Sequence, residues 1–102
     1  NGIDFDANKG DPVRSAGNGL VKFAGWKKGF GNIVEIDHQN GYVTLYAHNS
    51  AFLVKEGDVV RAGQIVAKAG STGRSTGPHV HFEVHKDGRA VNPRTFLGIA
   101  AK

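Results

Sequence analysis

The densest group of potentially reactive side chains lies between residues 79 and 85, in the sequence HVHFEVH. Alternate positions of this segment are occupied by His79, His81, Glu83 and His85. Because the side chains of a strand alternate between faces, an extended segment would place these four on one face and three apolar side chains on the other. A rise of about 3.3 Å per residue separates His81 from His85 by roughly 13 Å. One metal ion therefore cannot bind all three histidines, and we expect His85 to lie beyond the site, at the surface.

Two residues from distant segments can join this group. Asp4 lies near the start of the chain in an apolar setting, and His48 ends the sequence YAH. Each of them alone would more often have a structural role. Zinc, however, takes imidazole and carboxylate ligands, and a catalytic zinc site keeps one position for water. Together with His79 and His81 they fit a hydrolytic zinc site, in which histidines transfer protons or stabilise the transition state.

The elements that must position these residues are predicted to be short strands separated by turns, since no long amphipathic helix pattern occurs. Strands are expected at residues 12–15, 19–26, 32–38, 42–48, 64–69, 79–86 and 89–91. Strand alternation over 42–48 places Tyr46 and His48 on the same face. The sequences N40-G41 and D87-G88 predict two-residue hairpin turns.

The segment 54–67 repeats a glycine turn followed by an apolar pair, a rhythm that is typical of barrel-sandwich folds. The predicted fold class is therefore mainly β, with an antiparallel sheet. Biotinyl and lipoyl carriers share this architecture, so the pattern indicates a fold and not a function. A carrier domain is not favoured, because the W26-K27-K28-G29 turn lacks the setting of a modified lysine.

Composition limits the possible functions of the chain. Its 102 residues predict a single domain, and the absence of cysteine excludes disulfides and thiol chemistry. The net charge is +4, but the basic residues are scattered and lack stacking aromatics, so no nucleic-acid partner is expected. No apolar run is long enough for a transmembrane segment. Because the sequence begins at Asn1 and not at Met, we expect it to be the C-terminal part of a longer protein.

Five segments in a fixed order carry a family resemblance: G2-I3-D4, G31-N32, Y46-A47-H48, G70-S71-T72-G73 and P78-H79-V80-H81-F82-E83. In this order they resemble the lysostaphin-type (LytM-type) zinc metalloendopeptidases, which cut peptide cross-links of bacterial peptidoglycan. The resemblance implies a barrel-sandwich hybrid fold (duplicated hybrid motif) and Zn²⁺ as the cofactor.

The same resemblance assigns individual roles. It implies that Asp4 and His81 are zinc ligands and that His48 and His79 are the catalytic pair. Asn32 and Tyr46 are candidate substrate contacts, although a turn residue and a core residue are equally good interpretations. Glu83 either supports a histidine or forms part of a groove wall. The implied partners are peptidoglycan peptide stems, in the bacterial periplasm, cell envelope or extracellular space.

One ligand of the family pattern is not in the sequence, because the histidine of H-x-x-x-D would fall immediately before Asn1. A parent chain that supplies this histidine is the favoured interpretation, since the other four positions are filled. The chain alone would then bind zinc weakly and be weakly active or inactive. Alternatively, a degenerate domain binds peptidoglycan or activates a cell-wall amidase without catalysis. In a third interpretation the α-amine of Asn1 or a water completes the site.

Overall fold

Residues 2–73 and 77–94 are described by the computed structural model, and their strands form one antiparallel sheet. The strands in these ranges are β1 (Ile3–Asp6), β2 (Pro12–Arg14), β3 (Gly19–Lys27), β4 (Gly31–Asp37), β5 (Tyr42–Phe52), β6 (Val59–Val60), β7 (Ile65–Ala69), β8 (His79–Lys86) and β9 (Arg89–Val91). Neighbours follow the order β1, β8, β5, β4, β3, β6, while β7 pairs with β2 and β5, and β9 pairs with β8. The predicted mainly β, antiparallel architecture is confirmed. Within these ranges, no helix has the length and apolar character that crossing a membrane requires.

The strands differ from the sequence-based prediction mainly at their ends. The strands expected at 79–86 and 89–91 have these bounds in the structure, and the other five predicted strands appear with shifts of one to four residues at their ends. Two short strands, β1 and β6, were not predicted. In addition, β5 continues to Phe52, four residues beyond its predicted end. The omission of β1 matters most, because this strand carries Asp4.

The sheet has two chemically different faces. The main core covers one face and contains Val34, Ile36, Tyr46, Phe82 and Val84 among its buried residues. A smaller cluster of Ile33, Leu45 and Ala47 lies on the other face, packed against Phe30 and Val43. Because β8 alternates strictly, Phe82 and Val84 enter the core while the histidines of β8 point to the opposite face, as predicted from the sequence. The site therefore lies on the face with the smaller apolar cluster.

Because of a bulge in β5, the side chain of His48 points to the opposite face of the sheet from the side chain of Tyr46, and not to the same face as predicted. Asn32 on β4 pairs with Asn49, and Val34 pairs with Tyr46, so two residue steps on β4 oppose three on β5. His48 also has a φ of 64°, a backbone conformation that is uncommon for residues other than glycine. As a result Tyr46 packs on Phe82 in the core, whereas His48 packs on His79 on the other face. The prediction that Tyr46 and His48 share a face was therefore wrong.

The two predicted hairpin turns have different outcomes. Asp87 and Gly88 connect β8 to β9 with φ values of 52° and 84°, as a two-residue turn of type I′ requires, which confirms that prediction. Between β4 and β5 the connection is longer than predicted, spanning 38–41. Gln39, Asn40 and Gly41 all have positive φ there.

Candidate metal and catalytic site

The antiparallel pairing of β1 with β8 brings the first residues of the chain onto the histidine segment. In the register of these strands, Asp4 is the partner of His81 and Asp6 is the partner of His79. The carboxylate oxygen Oδ1 of Asp4 lies 2.7 Å from Nδ1 of His81 and 3.5 Å from Nε2 of His79. The predicted ligand pair is thus brought together. The hydrogen bond from His81 lowers the pKa of Asp4 below its ordinary value, against a smaller opposing effect of burial.

The close approach of β1 to β8 depends on Gly2. A Cβ atom at this position would lie 2.5 Å from Cε1 of His81 and 2.7 Å from the carbonyl oxygen of Phe82. Contacts this short do not occur, so any larger residue would displace either the strand or the imidazole. Glycine is therefore required at position 2 of the G2-I3-D4 segment because β1 packs closely against His81 and Phe82.

Glu83 joins His81 to His85 on the same face of β8. Its Oε2 lies 2.7 Å from Nε2 of His81, and its Oε1 lies 2.9 Å from Nε2 of His85. Burial raises the pKa of Glu83, but the hydrogen bonds from His85 and His81 outweigh that effect, and the pKa lies below its ordinary value. Burial lowers the pKa of His81, because it disfavours the charged imidazole. The hydrogen bonds and charges of Asp4 and Glu83 have the larger effect, so the pKa of His81 lies above its ordinary value. His85 is thus connected to the site through one carboxylate, although it is distant from Asp4.

The two predicted catalytic histidines lie next to each other. The ring centroids of His48 and His79 are 4.9 Å apart, and those of His48 and His81 are 6.1 Å apart. Nδ1 of His48 lies 2.6 Å from the carbonyl oxygen of Thr72, and Nδ1 of His79 lies 2.9 Å from that of Gly77. A carbonyl oxygen can only accept, so both Nδ1 atoms carry a proton.

The two candidate substrate contacts differ in burial, since Tyr46 is buried and Asn32 is half-buried. Tyr46 is 2% exposed, and its hydroxyl accepts a hydrogen bond from the backbone N–H of Ala16. This burial does not favour a substrate contact by Tyr46, which stays a prediction. Burial raises the pKa of the Tyr46 hydroxyl above its ordinary value. Asn32 is half-buried at the start of β4, and its side-chain amide donates to the backbone oxygen of Asn49. A substrate contact by Asn32 stays a prediction.

Sequence reasoning did not identify Thr72 and Asn49 as parts of the site. Thr72 contacts His48 through its backbone carbonyl, and Asn49 is completely buried beside the bulge. Neither contact has a sequence signal, because a backbone carbonyl belongs to every residue and the bulge in β5 interrupts the expected alternation. Only the position of Thr72 within the glycine-rich stretch G70-S71-T72-G73 pointed to this loop.

The donor set is chemically suited to two ligands of a zinc site. No group of three or more metal-binding side chains occurs in the described ranges 2–73 and 77–94. Oδ1 of Asp4 and Nδ1 of His81 converge from two strands, and Nε2 of His81 already faces the carboxylate of Glu83. Zinc-bound histidines usually donate their second N–H to such a carboxylate. Two tetrahedral ligands at about 2.0–2.2 Å from zinc lie about 3.4 Å apart, so the exposed Asp4 needs to move outward by less than about 1 Å.

An antiparallel β sheet that carries converging carboxylate and imidazole groups on one face is the arrangement of a metallopeptidase domain. The chain belongs to Peptidase family M23, whose family model matches residues 1–93. The resemblance inferred from the ordered segments is thereby confirmed, and so is the lysostaphin-type fold class. The proteins to which the chain is similar include named peptidases and a named murein hydrolase activator.

Two relatives of this chain are named for different functions, one as a peptidase and one as an activator. The chain is 53% identical over 92 residues to a protein named DD-carboxypeptidase/endopeptidase Mpg from Neisseria meningitidis serogroup B, covering 90% of this chain and 21% of the relative. It is 39% identical over 97 residues to the murein hydrolase activator EnvC of Escherichia coli K12, covering 95% of this chain and 23% of the relative. The chain thus spans less than a quarter of the length of either protein.

Solved structures share the fold closely. The catalytic domain of the antimicrobial peptidase lysostaphin from Staphylococcus simulans superimposes with a TM-score of 0.89 at 40% identity, covering 95% of this chain and 77% of that domain. A zinc-containing peptidase from Vibrio cholerae superimposes with a TM-score of 0.85 at 46% identity, covering 88% of this chain and 28% of that protein.

Proposed function

We propose that this chain is the peptidase domain of a zinc-dependent endopeptidase that hydrolyses peptide cross-links of bacterial peptidoglycan. The observation that carries the proposal is the convergence of four side chains from three separate segments. Asp4 contacts His81 and approaches His79, while His48 packs against both histidines. A purely structural domain has no evident need for three neighbouring imidazoles and a carboxylate, especially when the carboxylate side chain is 64% exposed.

In this proposal Asp4 and His81 hold zinc through Oδ1 and Nδ1. A histidine at the first position of H-x-x-x-D, which would stand immediately before Asn1, would be the third protein ligand. When bound, the ion supplies Lewis acidity toward the scissile carbonyl and makes water a stronger acid. Glu83 keeps the imidazole of His81 in place by accepting its Nε2–H.

His48 and His79 have complementary proton-transfer roles. Because Nδ1 of His48 donates to Thr72, its Nε2 is the acceptor in the neutral ring and takes a proton from the attacking water. His79 has an oxygen atom facing each ring nitrogen, the carbonyl of Gly77 at 2.9 Å from Nδ1 and the carboxylate of Asp4 at 3.5 Å from Nε2, so an acceptor is present for a proton on either nitrogen. His79 therefore donates to the developing oxyanion or to the leaving amine.

The substrate and location follow from the same proposal. Peptide stems of peptidoglycan are the partner, and the parent protein acts in the periplasm, at the cell envelope or outside the cell. Asn32, half-buried at the start of β4, is a candidate contact to the substrate backbone. The net charge of +4 would keep the domain near anionic polymers of the wall.

A second candidate function is activation of a cell-wall amidase by a domain that has lost catalysis. The observation that favours it is the similarity to EnvC, which is named a murein hydrolase activator. Such a domain would bind peptidoglycan or the amidase without cleaving peptide bonds. The two candidates differ in whether zinc and the histidine pair are needed for function.

Zinc content and cleavage of purified peptidoglycan separate the two candidates. Two chains are compared, the sequence as it stands and the same sequence with a histidine placed immediately before Asn1. We expect the extended chain to bind one zinc ion and to release cross-linked muropeptides as monomers, and His48→Ala or His79→Ala to abolish cleavage while zinc stays bound.

Ser71→Ala is the matched control, since Ser71 is exposed in the loop beside the site. Zinc binding without any cleavage, combined with stimulation of an amidase, would favour the activator. An extended chain that neither binds zinc nor cleaves peptidoglycan would refute the peptidase proposal.

A further inference from the structure

His48 is held from both its backbone and its ring. The backbone N–H donates to the carbonyl oxygen of Phe30 at 2.8 Å, and the ring Nδ1 donates to the carbonyl oxygen of Thr72 at 2.6 Å. The residue is 6% exposed and has a positive φ, so its position costs conformational energy that the neighbouring contacts must offset. The contact with Thr72 selects one tautomer of the neutral ring, with the proton on Nδ1 and the lone pair on Nε2.

The hydroxyl of Thr72 fixes the position of that carbonyl group. Its Oγ1 accepts a hydrogen bond from the backbone N–H of Asn32 at 3.1 Å and donates one to the backbone oxygen of Asn49 at 2.6 Å. Both neighbours belong to the strands that flank the bulge, since Asn32 and Asn49 are paired in the register of β4 and β5. Thr72 therefore connects a loop to the two strands that position His48.

The two asparagines form a closed unit beneath Thr72. The side-chain amide of Asn32 donates to the backbone oxygen of Asn49, and that of Asn49 donates to the backbone oxygen of Asn32. Asn49 is completely buried and also donates to the backbone oxygen of Tyr46. Oδ1 of Asn49 is buried without a hydrogen-bond partner among the described residues, but the side-chain amide nitrogens of both asparagines donate to backbone oxygens at 2.8–3.1 Å, and these bonds tie the two strands together at the bulge.

Two glycines allow the loop to come close enough for these bonds. A Cβ atom at Gly31 would lie 2.4 Å from the carbonyl carbon of Thr72, and one at Gly73 would lie 2.3 Å from the backbone nitrogen of Gly31. Both residues also have positive φ. The backbone of the loop thus rests directly on the turn before β4, without side chains between them.

We propose that Thr72 is a positioning residue for His48, whose hydroxyl anchors the loop so that its carbonyl holds the imidazole in the Nδ1–H tautomer with Nε2 directed into the site. Thr72 acts only through His48 and touches no reacting atom. The catalytic importance of this arrangement rests on the proposed function, but the tautomer and its dependence on Thr72 do not.

The tautomer is measured directly in the chain as it stands, by long-range ¹H–¹⁵N correlation of ¹⁵N-labelled histidines at neutral pH. The signals of His48 are identified by their loss in His48→Gln. We expect wild-type His48 to have a protonated Nδ1 and an unprotonated Nε2. In Thr72→Val, which keeps the side-chain shape but removes both bonds of the hydroxyl, we expect the two tautomers to mix. Thr72→Ser keeps the hydroxyl and restores the wild-type spectrum.

Kinetics with the chain that carries a histidine before Asn1 provide the second measurement. We expect Thr72→Val to lower kcat by about 10- to 100-fold, with little change in KM, because a misplaced base affects the chemical step more than binding. Thr72→Ser should recover most of kcat. Ser71→Ala is the matched loop control and should change neither the spectrum nor kcat.

Three results would overturn the proposal: an Nε2–H tautomer of His48 in the wild-type chain, an unchanged tautomer in folded Thr72→Val, or an equal loss of kcat in Thr72→Ser and Thr72→Val. If Thr72→Val does not fold, Thr72→Ala replaces it. The proposal is then overturned by an Nε2–H tautomer in the wild type or by an unchanged His48 tautomer in Thr72→Ala. The spectra require neither zinc nor cleavage, so failure of the peptidase proposal would leave this result standing, and the reverse also holds.

Discussion

The Nε2 atom of His81 lies 2.7 Å from Oε2 of Glu83, on the side of the ring opposite to Asp4. The imidazole is therefore held between two carboxylates of different exposure, since the side chain of Asp4 is 64% exposed and that of Glu83 is 13% exposed. The exposed carboxylate can move to accommodate a metal ion, whereas the more buried one is fixed by two histidines. In the proposed zinc site, this asymmetry favours Asp4 as the ligand and Glu83 as the residue that orients the ring.

Replacing Glu83 is expected to weaken metal binding without removing a ligand. In the chain with a histidine before Asn1, Glu83→Gln should lower zinc affinity by about 10- to 100-fold, because His81 loses the charged acceptor that orients it and increases its basicity. Competition with a chelator measures the affinity. Glu56→Gln is the control, since it makes the same charge change at an exposed turn. Equal effects of both variants would show that only the net charge matters.

The contact between Gly31 and the Thr72 loop predicts a difference between two glycines of one turn. Gly29 has a φ of 87°, and a Cβ atom added there would meet no other atom within 4 Å, so Gly29→Ala should cost only the backbone penalty of about 1–2 kcal/mol. Gly31→Ala adds a steric clash with Thr72 and should cost about 1–3 kcal/mol more. Urea unfolding of the two variants gives the difference. Similar stabilities would mean that the loop moves away at little cost.

The sequence predicted much of the sheet and the composition of the site for identifiable reasons. The strand over 79–86 has strict alternation of apolar and polar residues, and its two faces were correctly predicted. β1 was missed because I3-D4-F5-D6 is short and mostly exposed, so its strand conformation comes from pairing with β8 and not from its own apolar pattern.

The facing of His48 could not be predicted because a bulge has no reliable sequence signal. Alternation holds along β5 as far as Tyr46, one extra residue then changes the facing of His48, and a second irregularity follows between Asn49 and Ala51. The φ of 64° at His48 is stabilised by long-range contacts to Phe30 and Thr72, which lie 18 and 24 positions away. A tertiary contact of this kind is invisible to a pattern that considers only neighbouring residues.

The burial of Tyr46 predicts that its hydroxyl contributes to stability and not to substrate binding. Tyr46→Phe leaves the backbone N–H of Ala16 without its acceptor and removes a partner of Thr44, which should cost about 1–3 kcal/mol. The KM for a peptidoglycan peptide should be unchanged. Thermal unfolding and steady-state kinetics on the same preparation check both parts. A raised KM with unchanged stability would restore Tyr46 as a substrate contact.

A directional chain of hydrogen bonds runs through the core from Tyr46 to His38. Nδ1 of His38 faces the carbonyl oxygen of Asn18 at 2.8 Å and therefore donates to it, which makes Nε2 the acceptor for the hydroxyl of Thr44 at 2.6 Å. Thr44 in turn accepts from the hydroxyl of Tyr46, which accepts from Ala16. With His38 neutral, each donor in this chain of hydrogen bonds faces an acceptor.

This arrangement predicts a loss of stability at mildly acidic pH that depends on His38. Burial lowers the pKa of His38 below its ordinary value, outweighing the carbonyl of Asn18 and the charge of Asp37, which both raise it. The unfolded state therefore binds the proton more readily, and the free energy of unfolding should fall as the pH drops below about 6.5. Because other histidines also titrate there, the quantity to measure is the difference between wild type and His38→Gln in urea unfolding from pH 8 to pH 5. The advantage of the wild type should shrink as the pH falls, and an advantage that grows toward pH 5 would mean that His38 is charged in the folded protein.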